Sequence, residues 1–281
     1  MSDSPELKQI PLAGVIGWPI AHSRSPQLHG HWLKRYGIKG HYIPMPVRPE
    51  HLAEALRSLP RLGFVGVNVT IPHKEAVLAL ADVVTDRAAL MGAANTLILR
   101  SDGKIHADNT DGYGFIANLR QNAPGWDPTS GPAALLGAGG AARAVVASLL
   151  DAGVQELRIA NRTRLRAEQI RAEFGARVVV YDWAQIGNML EGAATVVNAT
   201  SMGMEGKPPL RVPLDALSST AVVTDIVYTP LDTPLLIAAR QRGCTTVDGL
   251  GMLLHQAAPG FERWFGHRPE VDEELRAAVL A

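Results

Sequence analysis

The sequence predicts an α/β protein of two domains, the second built on a doubly wound parallel sheet. Three observations carry this prediction. Short apolar runs alternate with helical patterns along most of the chain, and a Gly/Pro-rich break at Pro124–Pro132 divides it. A glycine-rich turn then sits between a strand and a helix just after the break. At 281 residues, 47% of them hydrophobic, the chain has enough apolar surface for cores of this kind.

Leu12–Gly17 is an apolar run ending at glycine, which predicts a buried strand. A Pro/Ser/His-rich loop, residues 18–26, leads into a helical pattern over Gln27–Tyr36. His41–Val47 reads as a strand, and Pro49–Ser58 as a helix opening on proline and glutamate. Phe64–Ile71 is a strand stopped by Pro72, and Lys74–Asp82 reads as helical. Thr96–Arg100 and Ile105–Ala107 flank Ser101-Asp102-Gly103, a hairpin signal. Such alternation predicts a mainly parallel sheet in this half. Past the break come strand Ala133–Leu136, helix Ala141–Asp151, strand Glu156–Ala160, helix Arg164–Phe174 and strand Arg177–Tyr181. Apolar runs at Ala194–Asn198 and Ala221–Ile226 continue this βαβαβ order.

Lys+Arg and Asp+Glu balance at 27 each, so no global field points to nucleic acid or an anionic membrane. The single cysteine, Cys244, excludes an internal disulfide framework and reads as a small apolar filler in a reducing compartment. Residues 1–9 are polar and acidic, unlike a secretory signal, and no apolar run reaches the ~20 residues that span a bilayer. A cytoplasmic location is expected.

Leu135-Leu136-Gly137-Ala138-Gly139-Gly140-Ala141-Ala142 fits G-x-G-x-x-A between a strand and a helix. The first glycine permits the tight turn, the second lets backbone approach a pyrophosphate, and Ala142 lets the helix pack closely. Backbone N–H groups and the helix dipole then hold the anion. An NAD-binding domain places Asp or Glu at the end of the second strand, on the ribose 2′-hydroxyl. Asn161-Arg162-Thr163 stands there instead, with Arg164 and Arg166 close behind. The repelling carboxylate is missing and a guanidinium able to grip a 2′-phosphate is present, so the expected cofactor is NADP(H).

In the first half, polar residues collect where strands end: Ser23 and Ser25 around Arg24, Asn68 and Thr70 before Pro72-His73-Lys74, Asn95-Thr96, and Asn109-Thr110-Asp111-Gly112. Ligands of α/β sheets sit at the carboxyl ends of strands. This set suits a small, polyhydroxylated molecule, neutral or anionic. Taken singly, each residue also reads as a turn former, a surface charge or, for Asp111, a helix cap.

Taken together, these segments resemble the shikimate dehydrogenase family. The resemblance rests on Ile20-Ala21-His22-Ser23-Arg24-Ser25-Pro26, Asn68-Val69-Thr70-Ile71-Pro72-His73-Lys74, Gly92-Ala93-Ala94-Asn95-Thr96, Asn109-Thr110-Asp111-Gly112, the glycine turn and Asn161-Arg162-Thr163. It continues through Asn198-Ala199-Thr200-Ser201-Met202-Gly203, Asp225-Ile226-Val227-Tyr228-Thr229-Pro230 and the segment Gly249–Ala257, spanning nearly the whole chain. It implies reversible reduction of 3-dehydroshikimate to shikimate by NADPH, a step towards chorismate and the aromatic amino acids. It also implies two α/β domains with an active-site cleft between them. The substrate-binding domain would comprise residues 1–111, completed by C-terminal helices in 251–281, and the Rossmann-type NADP-binding domain residues 112–250.

By the same resemblance, Ser23 and Ser25 hold the substrate carboxylate. Thr70, Asn95, Asp111, Tyr228 and Gln256 meet its hydroxyls or ring, and Lys74 and Asp111 form the catalytic pair. Cofactor contacts fall on Gly137, Ala138, Gly139, Gly140, Ala141, Asn161, Arg162, Thr163, Arg166, Ile226 and Gly249. Asp86 matches a position with a weaker cofactor role. His73 departs from the Phe many members carry, beside the catalytic lysine. Ser25, where quinate branches often carry Thr, and the absence of an acidic residue near Asn161 favour the strict shikimate reading.

Ketone reduction needs a hydride for carbon and a proton for the developing alkoxide. Cationic Lys74 suits oxyanion stabilisation and proton donation, and Asp111 suits its orientation and a substrate hydrogen bond. The nine histidines offer no metal-ligand spacing: His29 and His31 lie two apart on a helical pattern, and His22 reads as a turn residue. No metal, nucleic acid or membrane partner is expected, and the chain is read as a monomer or homodimer. Alternatives are a related dehydrogenase acting on quinate, an amino analogue or methylenetetrahydrofolate, a non-catalytic NADP(H)-sensing module, and a purely structural protein.

Overall fold

The computed structural model describes residues 10–281, so the leader expectation for residues 1–9 lies outside the described residues. In chain order the elements are β1 (Leu12–Gly17), α1 (Ser25–Arg35), β2 (His41–Pro46), α2 (Leu52–Ser58), β3 (Phe64–Val69), β4 (Val83–Val84), α3 (Asp86–Met91), β5 (Thr96–Leu99) and β6 (Ile105–Asp108). There follow α4 (Asp111–Asn122), β7 (Ala133–Leu136), α5 (Gly140–Ala152), β8 (Leu157–Ala160), α6 (Arg164–Phe174), β9 (Val178–Tyr181), α7 (Ile186–Met189), β10 (Thr195–Asn198) and β11 (Val222–Asp225). The chain ends with α8 (Pro234–Gln241), β12 (Thr245–Val247), α9 (Leu250–Phe265) and α10 (Glu273–Leu280). Contacts divide the chain into two compact units. One takes in the described residues through Thr110 together with Ala257–Ala281, and the other is Asp111–Gln256, so the division crosses the continuous helix α9.

The first unit holds a six-stranded sheet in the order β2-β1-β3-β5-β6-β4. It is mainly parallel, as expected, with one exception: five strands run in the same direction and β5 alone is reversed. β1 pairs in parallel with β2 and β3, and β4 with β6, whereas β5 runs antiparallel to both β3 and β6 because the hairpin reverses the chain. One face buries Ile16, Leu56, Val67, Leu97 and Ala107 in a single core. Beside α1, the buried rings of Trp32 and Phe261 meet edge-on at 5.1 Å, and His29 stacks on Tyr42 at 3.9 Å. Full burial of one such aromatic contributes about 1.5–3 kcal/mol. The helix expected over Lys74–Asp82 is a 3-10 turn, Ala76–Leu80, because Lys74 and Glu75 belong to the turn that follows β3. The Pro49–Ser58 helix is likewise split, a 3-10 turn at Pro49–His51 preceding α2.

The second unit holds six parallel strands in the order β12-β11-β10-β7-β8-β9, the doubly wound arrangement. Successive side chains of a strand point to opposite faces, and each face is covered here. Ala133 and Leu135 enter one core with Val145, Leu149 and Ile170, while Ala134 and Leu136 enter the other with Leu190, Val223 and Leu236. The strand order reverses between β7 and β10, which places the ends of these two strands at the topological switch point where such sheets bind ligands.

Candidate functional site

In the first unit, four segments meet at one edge of the sheet. β1 and β3 run in parallel, so loop 18–24 and segment 70–75 leave from the same ends of their strands. Asn68 of β3 lies opposite Thr96 and Thr96 opposite Asp108, which brings the start of β5 and the end of β6 to that edge. Ser23, Ser25, Thr70, Lys74 and Asn95 are therefore gathered there, all half-buried except the buried Asn95. Hydrogen bonds knit the edge together. Trp18 N–H donates to Ile71 O at 3.1 Å, and Ala94 N–H to Lys74 O at 2.8 Å. The Ser25 N–H donates to Ser23 Oγ at 3.3 Å.

Two of these groups have their roles fixed by their partners. Asn95 Oδ1 accepts from Thr96 Oγ1 at 3.0 Å, Thr110 N–H at 2.9 Å and Thr110 Oγ1 at 3.1 Å. An amide oxygen saturated in this way turns the NH2 donor toward other partners. The ring of buried His73 donates Nε2–H to Val47 O at 2.7 Å, propping the turn that carries Lys74, a bond that Phe cannot make.

Sequence reasoning missed Asp108. Its buried carboxylate accepts from Thr85 Oγ1 at 2.9 Å, the Asn109 N–H at 2.8 Å and the Arg87 guanidinium. Burial works against the charge, but these donors outweigh it and hold the carboxyl below its usual range. The cluster fixes both the start of α3, where exposed Asp86 is the first residue, and the strand end that runs into Asn109-Thr110. Nothing in the spacing of Asp108 distinguishes it from an ordinary strand terminus.

In the second unit the glycine turn joins β7 to α5. Gly137 has φ +105°, and a Cβ there would lie 2.8 Å from Thr200 Cγ2 and 3.0 Å from Ala199 backbone, so only glycine fits. Gly139 and Gly140 are different: a Cβ on either would meet no protein atom within 4 Å. Packing does not require glycine at these two exposed positions, whereas close approach of a ligand to the N-terminus of α5 does. This cradle fits a dinucleotide pyrophosphate. Ala138 N–H donates to Asn161 Oδ1 at 3.2 Å, and Asn161 Nδ2 donates to Thr163 O at 2.9 Å, which ties the turn to the end of β8. Arg164 pairs with Asp182 at 2.6 Å and Glu168 at 2.9 Å. Arg162 and Arg166 are exposed and make no ion pair among the described residues.

Asp111 opens α4 and is buried. Gln256 lies half-buried on α9, whose first half crosses α4 closely: a Cβ on Gly251 would lie 1.8 Å from Asn118 Oδ1. Buried Asn118, also missed, donates to Asp248 O at 2.7 Å and locks the crossing. On a helical pattern an asparagine reads as solvent-facing, so its sequence gives no warning. Ile226 and Tyr228 are half-buried beyond β11, and a Cβ on Gly249 would lie 2.4 Å from Ile226 O. No group of three or more His, Cys, Asp or Glu among the described residues is placed to hold a metal ion, and no helix among them is long and apolar enough to cross a membrane.

Three family profiles match the chain: shikimate dehydrogenase substrate binding domain over residues 15–97, shikimate / quinate 5-dehydrogenase over 126–205, and shikimate 5′-dehydrogenase C-terminal domain over 249–280. Shikimate dehydrogenase (NADP(+)) of Paracoccus denitrificans is 80% identical over 277 residues, 99% of this chain and 98% of that protein. The crystal structure of shikimate 5-dehydrogenase from Thermus thermophilus in complex with NADP(H) and shikimate is similar at TM-score 0.84 and 36% identity, covering 96% of this chain and 98% of the other. Quinate dehydrogenase from Corynebacterium glutamicum in complex with NAD is similar at TM-score 0.89 and 33% identity, covering 96% and 99%.

Proposed function

The chain belongs to the shikimate dehydrogenase family, and on that premise we propose that it interconverts 3-dehydroshikimate and shikimate with NADP(H), on the route to chorismate and the aromatic amino acids. It is an NADP-dependent oxidoreductase acting on a CH–OH group. The observation that carries the reading is the gathering of Ser23, Ser25, Thr70, Lys74 and Asn95 on one sheet edge, a set matched to a small polyhydroxylated acid.

Bound NADPH supplies the hydride; the chain's own residues supply everything else. The hydroxyls of Ser23 and Ser25 hold the substrate carboxylate as donors. Asn95, its Oδ1 already taken by three donors, gives its NH2 to a substrate oxygen. Thr70, Tyr228 and Gln256 meet the remaining hydroxyls and the ring. Lys74 stabilises the alkoxide that develops on the carbonyl oxygen and delivers its proton, and in the reverse direction removes it. Asp111 is the acidic member of the catalytic pair and accepts from a substrate hydroxyl. Gly137–Ala141 would receive the pyrophosphate, Arg162 and Arg166 with Asn161 and Thr163 would grip the 2′-phosphate, Ile226 and Gly249 would make further cofactor contacts, and Asp86 would contribute weakly. The reading places the enzyme in the cytoplasm as a monomer or homodimer, with lone Cys244 as a free thiol supporting a reducing compartment.

The test is spectrophotometric, following reduced nicotinamide for NADP⁺ with shikimate, NADP⁺ with quinate, and each acid with NAD⁺. Turnover is expected chiefly with NADP⁺ and shikimate. Turnover only with quinate and NAD⁺ would move the chain to the activity named for its quinate neighbour.

A further inference from the structure

Asp225 and Asn198 end neighbouring strands of the second unit, and both side chains are buried. Asp225 Oδ1 accepts from Asn198 Nδ2 at 2.9 Å and from Val227 N–H at 3.0 Å, and Oδ2 accepts from Thr233 Oγ1 at 2.8 Å. No cation pairs with this carboxylate among the described residues, and burial raises its pKa. Burying an unpaired carboxylate is costly, so its retention needs a reason.

Its partners supply one. Asn198 Oδ1 accepts from Thr200 N–H at 3.0 Å and Thr200 Oγ1 at 2.7 Å, and Thr200 Oγ1 accepts from Met202 N–H at 3.0 Å. The Thr200 methyl lies 2.8 Å from where a Gly137 Cβ would fall, and so forms the wall of the glycine turn. On the other side, the Val227 N–H sits between Ile226 and Tyr228, and Ile226 N–H donates to Asn198 O at 3.0 Å. One carboxylate therefore reaches the segment bearing a cofactor and a substrate contact through one hydrogen bond, and the wall behind the pyrophosphate turn through two in series by way of Asn198. A carboxylate is acceptor-only with room for several donors, which is what three converging donors require.

We propose that Asp225 is a positioning residue that sets the 226–228 segment and the Thr200 wall together, so that cofactor and substrate affinity depend on one buried group. This rests on the assignment of Ile226 and Tyr228 made above. Asparagine at 225 preserves the device: its oxygen still accepts from Asn198 and Val227, and its NH2 faces Thr233, whose hydroxyl turns to accept. Alanine abolishes both links, whereas Thr233→Val removes the donor on the carboxylate's far side together with the α8 cap that Thr233 Oγ1 makes by accepting from Leu236 N–H.

The experiment is steady-state kinetics in both substrates for Asp225→Ala, Asp225→Asn and Thr233→Val, with circular dichroism and thermal melts on each. The expected result for folded Asp225→Ala is a rise of about ten-fold or more in KM for NADP⁺ and for shikimate alike, the scale of one or two lost hydrogen bonds to a charged group. Asp225→Asn stays within about three-fold in both, and Thr233→Val raises both together by a smaller factor, since it removes one donor and leaves two. A folded Asp225→Ala protein with unchanged KM values, losing only kcat or melting temperature, overturns the proposal, as does an Asp225→Asn variant as impaired as alanine. If Asp225→Ala does not fold, the near-isosteric Thr233→Val decides, and KM values equal to wild type for both substrates overturn the proposal. Fluorescence titration with NADPH reads the cofactor arm without turnover. Wild-type protein inert toward shikimate would therefore count against the proposed function while leaving Asp225 testable.

Discussion

Arg164 donates to Asp182 at 2.6 Å and, through the same guanidinium, pairs with Glu168 at 2.9 Å, which leaves the neighbouring cations Arg162 and Arg166 to meet an anion. Three arginines within five residues thus divide into one that is ion-paired within the protein and two that make no ion pair among the described residues. Arg162→Asp is expected to raise KM for NADP⁺ by about ten-fold or more, the scale of a lost charge-assisted hydrogen bond, and to favour NAD⁺ relatively. Arg164→Ala, which breaks only exposed ion pairs screened by solvent, leaves that KM within about two-fold. Parallel kinetics with the two nucleotides check both, and equal effects of the two substitutions would dissolve the division of labour.

Lys74 is held in place by the Ala94 N–H on its own carbonyl and by the neighbouring His73 ring bonded to Val47 O. Lys74→Ala is expected to lower kcat by about 10²–10⁴-fold, the range for loss of a general acid, with NADPH affinity unchanged within about two-fold. Turnover combined with nucleotide titration makes the comparison. A variant that keeps full kcat removes Lys74 from the chemistry.

The buried imidazole of His29, stacked on Tyr42, has its pKa lowered to about 3, chiefly by burial. The unfolded chain binds a proton there below about pH 6.5, whereas the folded chain resists doing so until about pH 3. Stability is therefore full above about pH 6.5 and falls as pH drops through the window toward 3, with a limiting slope of about 1.4 kcal/mol per unit from this group. Urea unfolding of wild type and His29→Phe at pH 7, 6 and 5 measures the difference. The substituted protein is expected to lose less stability on acidification, and identical slopes would refute the assignment.

The glycines of the cofactor turn separate fold from binding. Gly137→Ala forces a Cβ against Thr200 and Ala199 at a φ of +105° and is expected to cost on the order of 2 kcal/mol or more, read as a lower melting temperature. A Cβ on Gly139 meets no protein atom within 4 Å. Gly139→Ala is expected to keep the melting temperature and weaken NADPH binding by about ten-fold, since the added methyl stands where the pyrophosphate approaches the backbone. Equal loss of stability in the two variants would contradict this separation.

Where local chemistry decides the structure, the sequence was legible. β1 and α6 occur at the predicted bounds, and the hairpin closes around Gly103, whose φ is +84°. The glycine turn was readable because the passage from strand to helix takes Gly137 to φ +105°, which favours glycine. Elements settled by tertiary contacts were harder. Lys74–Asp82 carries a helical pattern, yet the turn after β3 and the bond from Ala94 N–H to Lys74 O leave only a 3-10 turn at Ala76–Leu80. The short α3 escaped although Thr85 caps it by accepting from the Ala88 N–H and Gly92 ends it at φ +62°. Asp108, Asn118 and Asp225 were invisible as site-building groups because their importance lies in partners remote in sequence: Arg87, Asp248 and Asn198 with Thr233.

Strand β2 closes one side of the first unit's sheet. His41 and Val47 donate their N–H groups to Pro11 and Gly17, so the odd-numbered amides of this stretch face β1 and the even-numbered ones face outward. Two of the three outward positions within the strand are Pro44 and Pro46, which have no N–H at all. The free rim is left with the Tyr42 amide as its single outward donor, too few to template another strand. This one edge is thus guarded against strand-to-strand association by two prolines. A copy that extended this sheet by strand pairing would have to do so at the β4 edge instead.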